Sequence, residues 1–191
     1  MVKKSSSIKP FVSYTRFALS ETEILRCLEV CNSTEKECII KLGYTLGLRR
    51  SDMAGAEITN IDFLNHKFTY YEEKKDRLHT APMTQDLEIC LKKHINAGGK
   101  RKFLFKYPSG STMYRRFQEI LKDAGIKPVG RDARPFHALR GTCYKYWQRK
   151  GMPVEQIAEL LGDSIETAMA HYGKATLQEI ETTMRSDHGL R

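Results

Sequence analysis

The sequence has no run of about 18 apolar residues, the length that would cross a bilayer as a helix, so no membrane span is expected. It has no apolar segment behind its basic start, Met-Val-Lys-Lys, so the first residues do not read as a secretory signal. Residues 1–14 are expected to be a flexible lead-in or a residual linker, and 15–191 a single domain. Cysteine is scarce and odd in number: Cys27, Cys31, Cys38, Cys90 and Cys143. No Cys-x-x-Cys pair and no His-x3-His set completes a zinc cage. Reduced thiols packed as small hydrophobes in a cytoplasmic chain are the expectation. Carboxylates are present, but Asp52, Asp62, Asp76 and Asp163 fit no converging motif. That argues against a paired-metal nuclease or transposase, and no metal or other cofactor is expected. No repeat and no low-complexity tract is visible. The one tryptophan, Trp147, lies at helical spacing with Tyr144 and Tyr146, which reads as packing rather than base stacking.

What the chain has in excess is positive charge. Lys plus Arg minus Asp plus Glu gives 32 − 23 = +9 over 191 residues. An imbalance of that size points to a polyanion. No basic amphipathic helix with Trp and Phe on one face is present, so double-stranded DNA or another nucleic acid is expected and a membrane surface is not.

Hydrophobic periodicity predicts a mainly helical α+β domain with one small antiparallel sheet of three strands. Ser20-Glu-Thr-Glu23 and Thr34-Glu-Lys-Glu37 each read as a capping box opening a helix. The first helix covers roughly 20–31, and the second ends near Gly47. A short helix restarts at Ser51. Strands are expected at 58–63, 67–71 and 77–81, the last two joined by the polar tip Glu72-Glu-Lys-Lys-Asp76. Helices follow from Thr84 to Gly98, 111–124, 137–149, 153–162, 165–172 and 177–184, with a basic loop at 127–134.

Three cationic sites bear on one phenol. Arg49 sits just past a helix end, Lys74 at the hairpin tip, and His137 and Arg140 share a helix ahead of Tyr172. Two guanidiniums can hold both non-bridging oxygens of one phosphate, which Lys does less well. Negative charge builds on those oxygens as the phosphorus becomes five-coordinate, and fixed cations stabilise it. A phenol with a pKa near 10 needs help losing its proton, and nearby cations are expected to lower that value. A Lys or His can protonate the leaving sugar oxygen.

These residues resemble a family. Leu46-Gly-Leu-Arg-Arg-Ser-Asp52, His137-Ala-Leu-Arg140, and Leu160-Leu-Gly-Asp-Ser164 followed by Tyr172 look like the ordered boxes of tyrosine recombinases, also called phage integrases. The resemblance covers roughly residues 15–185 and implies their helical catalytic domain. It implies DNA integration or excision, as in viral genomes and mobile elements, through a covalent 3′-phosphotyrosyl intermediate without metal or ATP. Arg49 and Arg140 would clamp the phosphate, with Lys74 as general acid, His137 assisting proton transfer and Tyr172 the nucleophile. Asp52 would buttress the first box. Arg50, Lys75, Arg131, Arg134 and Lys145 would contact DNA. The family implies tetramers on DNA, with a monomer expected in solution. The place of action would be the cytoplasm, on the nucleoid, or a host cell's cytoplasm.

The sequence departs from the family at three points. Asp163 stands where His, or sometimes Trp, is usual. Gly141 follows Arg140 where His is common. The hairpin carries two lysines, so Lys75 is an alternative to Lys74. The separate helical domain that precedes this one in the family is not in the sequence, which suggests an excised fragment or a minimal form. Two other readings stay open. Residues 153–172 also resemble a helix-turn-helix, although 165–171 offers few base-reading side chains. That reading includes a DNA-binding recombinase relic, weakened at Asp163 and without strand transfer. A type IB topoisomerase shares the same chemistry.

Overall fold

The computed structural model describes residues 18–126, 135–173, 175, 180–181 and 184–185. The expected lead-in at 1–14, the basic loop at 127–134 with Arg131 and Arg134, and most of the helix at 177–184 lie outside the described residues. The chain runs α1 (Glu21–Glu29), α2 (Thr34–Leu46), α3 (Arg50–Ala54), β1 (Ile61–Asp62), β2 (Lys67–Glu72), β3 (Arg77–Pro82), α4 (Gln85–Gly98), α5 (Gly110–Asp123), α6 (Pro135–Arg149), α7 (Val154–Leu161) and α8 (Ile165–Tyr172). The sheet order is β1-β2-β3, antiparallel throughout. The expected mainly helical domain with a three-stranded sheet is what forms.

Helix starts follow local chemistry, with two corrections. Ser20 accepts from the Glu23 amide at 3.2 Å, and the Glu23 carboxylate accepts from the Ser20 amide at 2.9 Å, a full capping box. The second box does not form. Ser33 caps α2 by accepting from the Lys36 amide at 3.3 Å, while the Thr34 hydroxyl turns to His94 Nδ1 at 2.8 Å. Ser51 does not cap α3 either. Arg49 holds the cap position with no side-chain bond, and Ser51 Oγ donates to Asp52 Oδ1 at 3.1 Å. The first strand is shorter than expected. Residues 58–60 form a 3-10 turn, and only Ile61 and Asp62 pair with β2.

Helix α2 is the central element. Ile39, Ile40, Leu42 and Leu46 are fully buried, each contributing about 1.5–3 kcal/mol by leaving water. Helix α6 packs along α2 at Gly43. A Cβ on Gly43 would sit 2.7 Å from Leu139 Cδ1, so the missing side chain sets how close the helices come. One turn further along α2 is Gly47, and the next residue on α6 is Arg140. The close packing therefore aims Arg140 at the end of α2. Trp147 Nε1 donates to the Thr45 carbonyl at 2.7 Å, satisfying another acceptor that the helix end leaves open. Trp147 is thus a packing residue, as its spacing implied. Cys27, Cys38, Cys90 and Cys143 are buried and Cys31 partly so, in keeping with thiols used as small hydrophobes.

Candidate active site

The site forms where two helices end. Both α2 and α7 close with a Leu-Gly pair, and both glycines adopt left-handed φ: 63° at Gly47 and 62° at Gly162. The negative end of each helix dipole favours a cation. Arg140 supplies it. Its guanidinium donates from Nη1 to the Gly47 carbonyl at 2.7 Å and from Nη2 to the Leu161 carbonyl. At 2% exposure the guanidinium has lost most of its hydration, and these acceptors offset that loss.

Arg49 arrives from the connector between α2 and α3, which is pinned by fully buried Leu48. Its Nη2 donates to Asp163 Oδ1 at 2.9 Å, and Arg140 Nη2 donates to Asp163 Oδ2 at 2.7 Å. One carboxylate therefore spans both guanidiniums. Asp163 lies on the α7–α8 junction between Gly162 and Ser164. Its amide donates to the Ala158 carbonyl at 2.9 Å, and Ser164 caps α8 by accepting from the Thr167 amide at 3.1 Å.

Behind Arg49 stands Glu72, at the last position of β2. Its side chain is fully buried; Oε1 accepts from Arg49 Nη1 at 2.6 Å and Oε2 from Arg77 Nε at 2.8 Å. Burial alone would push the Glu72 carboxyl up, but the hydrogen bonds from Arg77 and Arg49 outweigh it and hold it below the ordinary value. Asp52 is also buried. Its Oδ2 lies 3.6 Å from Arg49 Nη1 without a hydrogen bond, and burial pushes its carboxyl up despite Arg49.

Tyr172 ends α8. It is 8% exposed, with its ring 6.0 Å from that of Tyr144. The expected lowering of its pKa does not result. Burial pushes the phenol up, Arg140 and Arg49 pull it down, Asp163 adds to the rise, and the net direction is upward. The arginines act with the expected sign, but a buried phenolate loses hydration, and Asp163 opposes them.

The hairpin lysine that reaches this cluster is Lys75, whose ammonium donates to the Gly162 carbonyl. Lys74 is exposed on the same 3-10 turn, and His137 is exposed on α6 one turn before Arg140. Arg50 is exposed beside the start of α5. Lys145 lies on α6 and is 9% exposed. His171 is exposed, with its ring 6.0 Å from that of Tyr172.

Sequence reasoning missed Glu72 and Arg77. The signal was present. Residues 68, 70 and 72 share the inward face of β2, with Phe68, Tyr70 and Glu72 all buried. A carboxylate in an inward strand position requires a cationic partner. Among the described residues no group of His, Cys, Asp and Glu is arranged to hold a metal ion, and no helix is long and apolar enough to cross a membrane.

Comparison with known proteins agrees with this fold. The chain is 29% identical over 147 residues to the tyrosine recombinase XerA of Saccharolobus solfataricus, covering 76% of this chain and 47% of that protein. It is 31% identical over 137 residues to a tyrosine recombinase of Thermosipho africanus, covering 69% and 46%. The chain thus spans about half the length of the curated relatives it matches. The crystal structure of XerA recombinase superimposes with a TM-score of 0.74 at 22% identity, covering 90% of this chain and 66% of that one. The catalytic domain of bacteriophage HP1 integrase gives 0.66 at 22% identity, covering 89% and 94%. A complex of the Tn1549 transposon integrase with transposon right end DNA gives 0.68 at 18% identity, covering 91% and 66%. The family model for the phage integrase family matches residues 18–179, and the chain belongs to that family of tyrosine recombinases.

Proposed function

We propose that this chain carries the catalytic centre of a site-specific DNA recombinase, which cuts and rejoins double-stranded DNA through a phosphotyrosyl link. The observation that carries the reading is the convergence of Arg49 and Arg140 on the two oxygens of one carboxylate, at 2.9 and 2.7 Å, beside Tyr172. Carboxylate and phosphate share the bidentate geometry that guanidinium groups bind.

In the proposed reaction the Tyr172 oxygen loses its proton and attacks a backbone phosphorus. The bond from phosphorus to the 5′-oxygen breaks, and that oxygen leaves as a hydroxyl after taking up a proton. Arg49 and Arg140 stabilise the charge that develops on the non-bridging oxygens. Lys75 is the favoured proton donor because it reaches the cluster, with Lys74 the alternative on the same turn. His137 assists proton transfer. A 5′-hydroxyl from a second strand then attacks the phosphotyrosyl bond and releases Tyr172. The bond energy is kept, so ATP is not needed, and the guanidiniums carry the charge-stabilising role that a metal ion would otherwise have. Arg50 and the excess basic charge hold the duplex, and a tetramer assembles on DNA from chains that are monomeric in solution.

A nicked duplex that loses a short fragment after cleavage tests this reading by trapping the covalent intermediate. The wild-type chain should form a DNA adduct that survives denaturant, and Tyr172→Phe should bind DNA with the same salt sensitivity but form none. A chain that binds and never forms an adduct would leave a DNA-binding module instead.

A further inference from the structure

We propose that Asp163 is a built-in surrogate for the DNA phosphate, holding the seat between Arg49 and Arg140 until a phosphate displaces it. The inference rests on the reading of these two arginines as the phosphate clamp, and it concerns the state of that clamp before DNA arrives.

Four observations carry it. First, Asp163 offers one oxygen to each guanidinium, as a phosphate's two non-bridging oxygens would. Second, the donors are already engaged: Arg49, Arg77 and Arg140 are paired with Glu72, Asp52 and Asp163, while Lys75 donates to the Gly162 carbonyl. A phosphate taking the donors that Arg49 and Arg140 give to Asp163 would stand against that carboxylate in a partly dehydrated setting, where like charges repel strongly. One carboxylate must therefore yield. Third, the three are not equally able to move. Glu72 has no exposed side-chain surface and is held on a strand by two arginines. The Asp52 side chain is 1% exposed. Asp163 is 9% exposed at the side chain and sits on a short junction between two helices, so a side-chain rotation is enough to free the seat. Fourth, Asp163 leads directly into α8, whose last residue is Tyr172. Occupation of the clamp is thereby linked to the element that carries the phenol.

In the absence of a competing anion Asp163 keeps Arg49 and Arg140 together, although like charges would otherwise separate them. In its presence, the same side chain sets a threshold that a phosphate must exceed. Binding is weakened in exchange for a clamp already assembled.

Inorganic phosphate is the probe, titrated into the full chain and into its Asp163→Asn variant. The variant should bind phosphate about tenfold more tightly or better, the scale of one charge-assisted hydrogen-bond competitor removed. That gain should vanish when Arg49→Ala is added to Asp163→Asn. Equal affinity in the wild type and Asp163→Asn would overturn the surrogate role. The phosphate-clamp reading would survive that result if Arg49→Ala still weakened phosphate binding. A gain in Asp163→Asn that persists with Arg49→Ala would place the anion elsewhere, and both readings would fall. If Asp163→Asn does not fold alone, folding restored by added phosphate supports the surrogate, since the ion replaces the missing carboxylate. Failure of phosphate to restore it assigns Asp163 a purely structural role and overturns the proposal.

Discussion

Arg49 Nη1 lies 2.6 Å from Glu72 Oε1, so the first arginine of the site is held by the sheet as well as by the helical core. Glu72 also takes Arg77, and neither bond depends on Asp163. Replacing Glu72 with Gln leaves a buried pair half-broken, which costs about 3 kcal/mol. Urea unfolding of Glu72→Gln should show that loss, and DNA cleavage should fall with it because Arg49 loses its support. An unchanged urea midpoint would mean the pair contributes no net stability.

The same pair makes stability depend on pH. The folded Glu72 carboxyl lies below the ordinary glutamate value of 4.5. Its contribution is therefore fully present above that value and is lost as pH falls through the lowered folded value. The stability gap between the wild type and Glu72→Gln should be constant near neutral pH and close on acidification below 4.5. Asp52 has the opposite sign. Burial raises its folded value, so Asp52→Asn should cost less at neutral pH than Glu72→Gln. Urea midpoints measured across the acid range check both statements.

Gly162 couples the sheet to the α7–α8 junction. Its φ of 62° is strained for any residue with a side chain, and an added Cβ would lie 2.6 Å from Glu72 Oε1. Gly162→Ala should therefore destabilise the chain by more than the roughly 1–2 kcal/mol of a left-handed backbone alone. Thermal unfolding should show the loss. The displaced Glu72 should reduce cleavage further than the stability change explains.

Lys75, rather than Lys74, touches the cluster through the Gly162 carbonyl. If Lys75 gives the leaving oxygen its proton, Lys75→Ala should slow cleavage by about 10²–10⁴. A substrate whose leaving 5′-oxygen is replaced by sulfur needs no such proton, and should restore the rate. Lys74→Ala should be less affected on the ordinary substrate. The reverse ranking would move the role to Lys74.

The sequence and the structure agree where local chemistry decides. The Ser20 capping box, the hairpin at 67–82 and the Leu-Gly helix ends are set by residues a few positions apart. The short β1 and the cap at Ser33 were not legible in that way, because a 3-10 turn and the Thr34–His94 bond compete with the simpler pattern. The upstream Arg49 and the downstream Arg140 were legible as a pair from their residue types together with their resemblance to a family. Their shared carboxylate was not, because Asp163 is 114 residues from Arg49 and 23 from Arg140. Glu72 could have been found from strand alternation alone, since its neighbours on that face, Phe68 and Tyr70, are both core residues. The Tyr172 pKa went the other way from expectation because residue types reveal nearby charge but not burial.

The most direct measurement is to identify the atom that joins protein to DNA. The chain would be incubated with nicked duplexes of randomised sequence, denatured and digested, and the nucleotide-bearing peptide sequenced by mass spectrometry. The expected result is a single modified peptide with the phosphate on Tyr172 and a free 5′-hydroxyl on the released strand. A phosphate on any other side chain, or cleavage that leaves no covalent adduct, would contradict it.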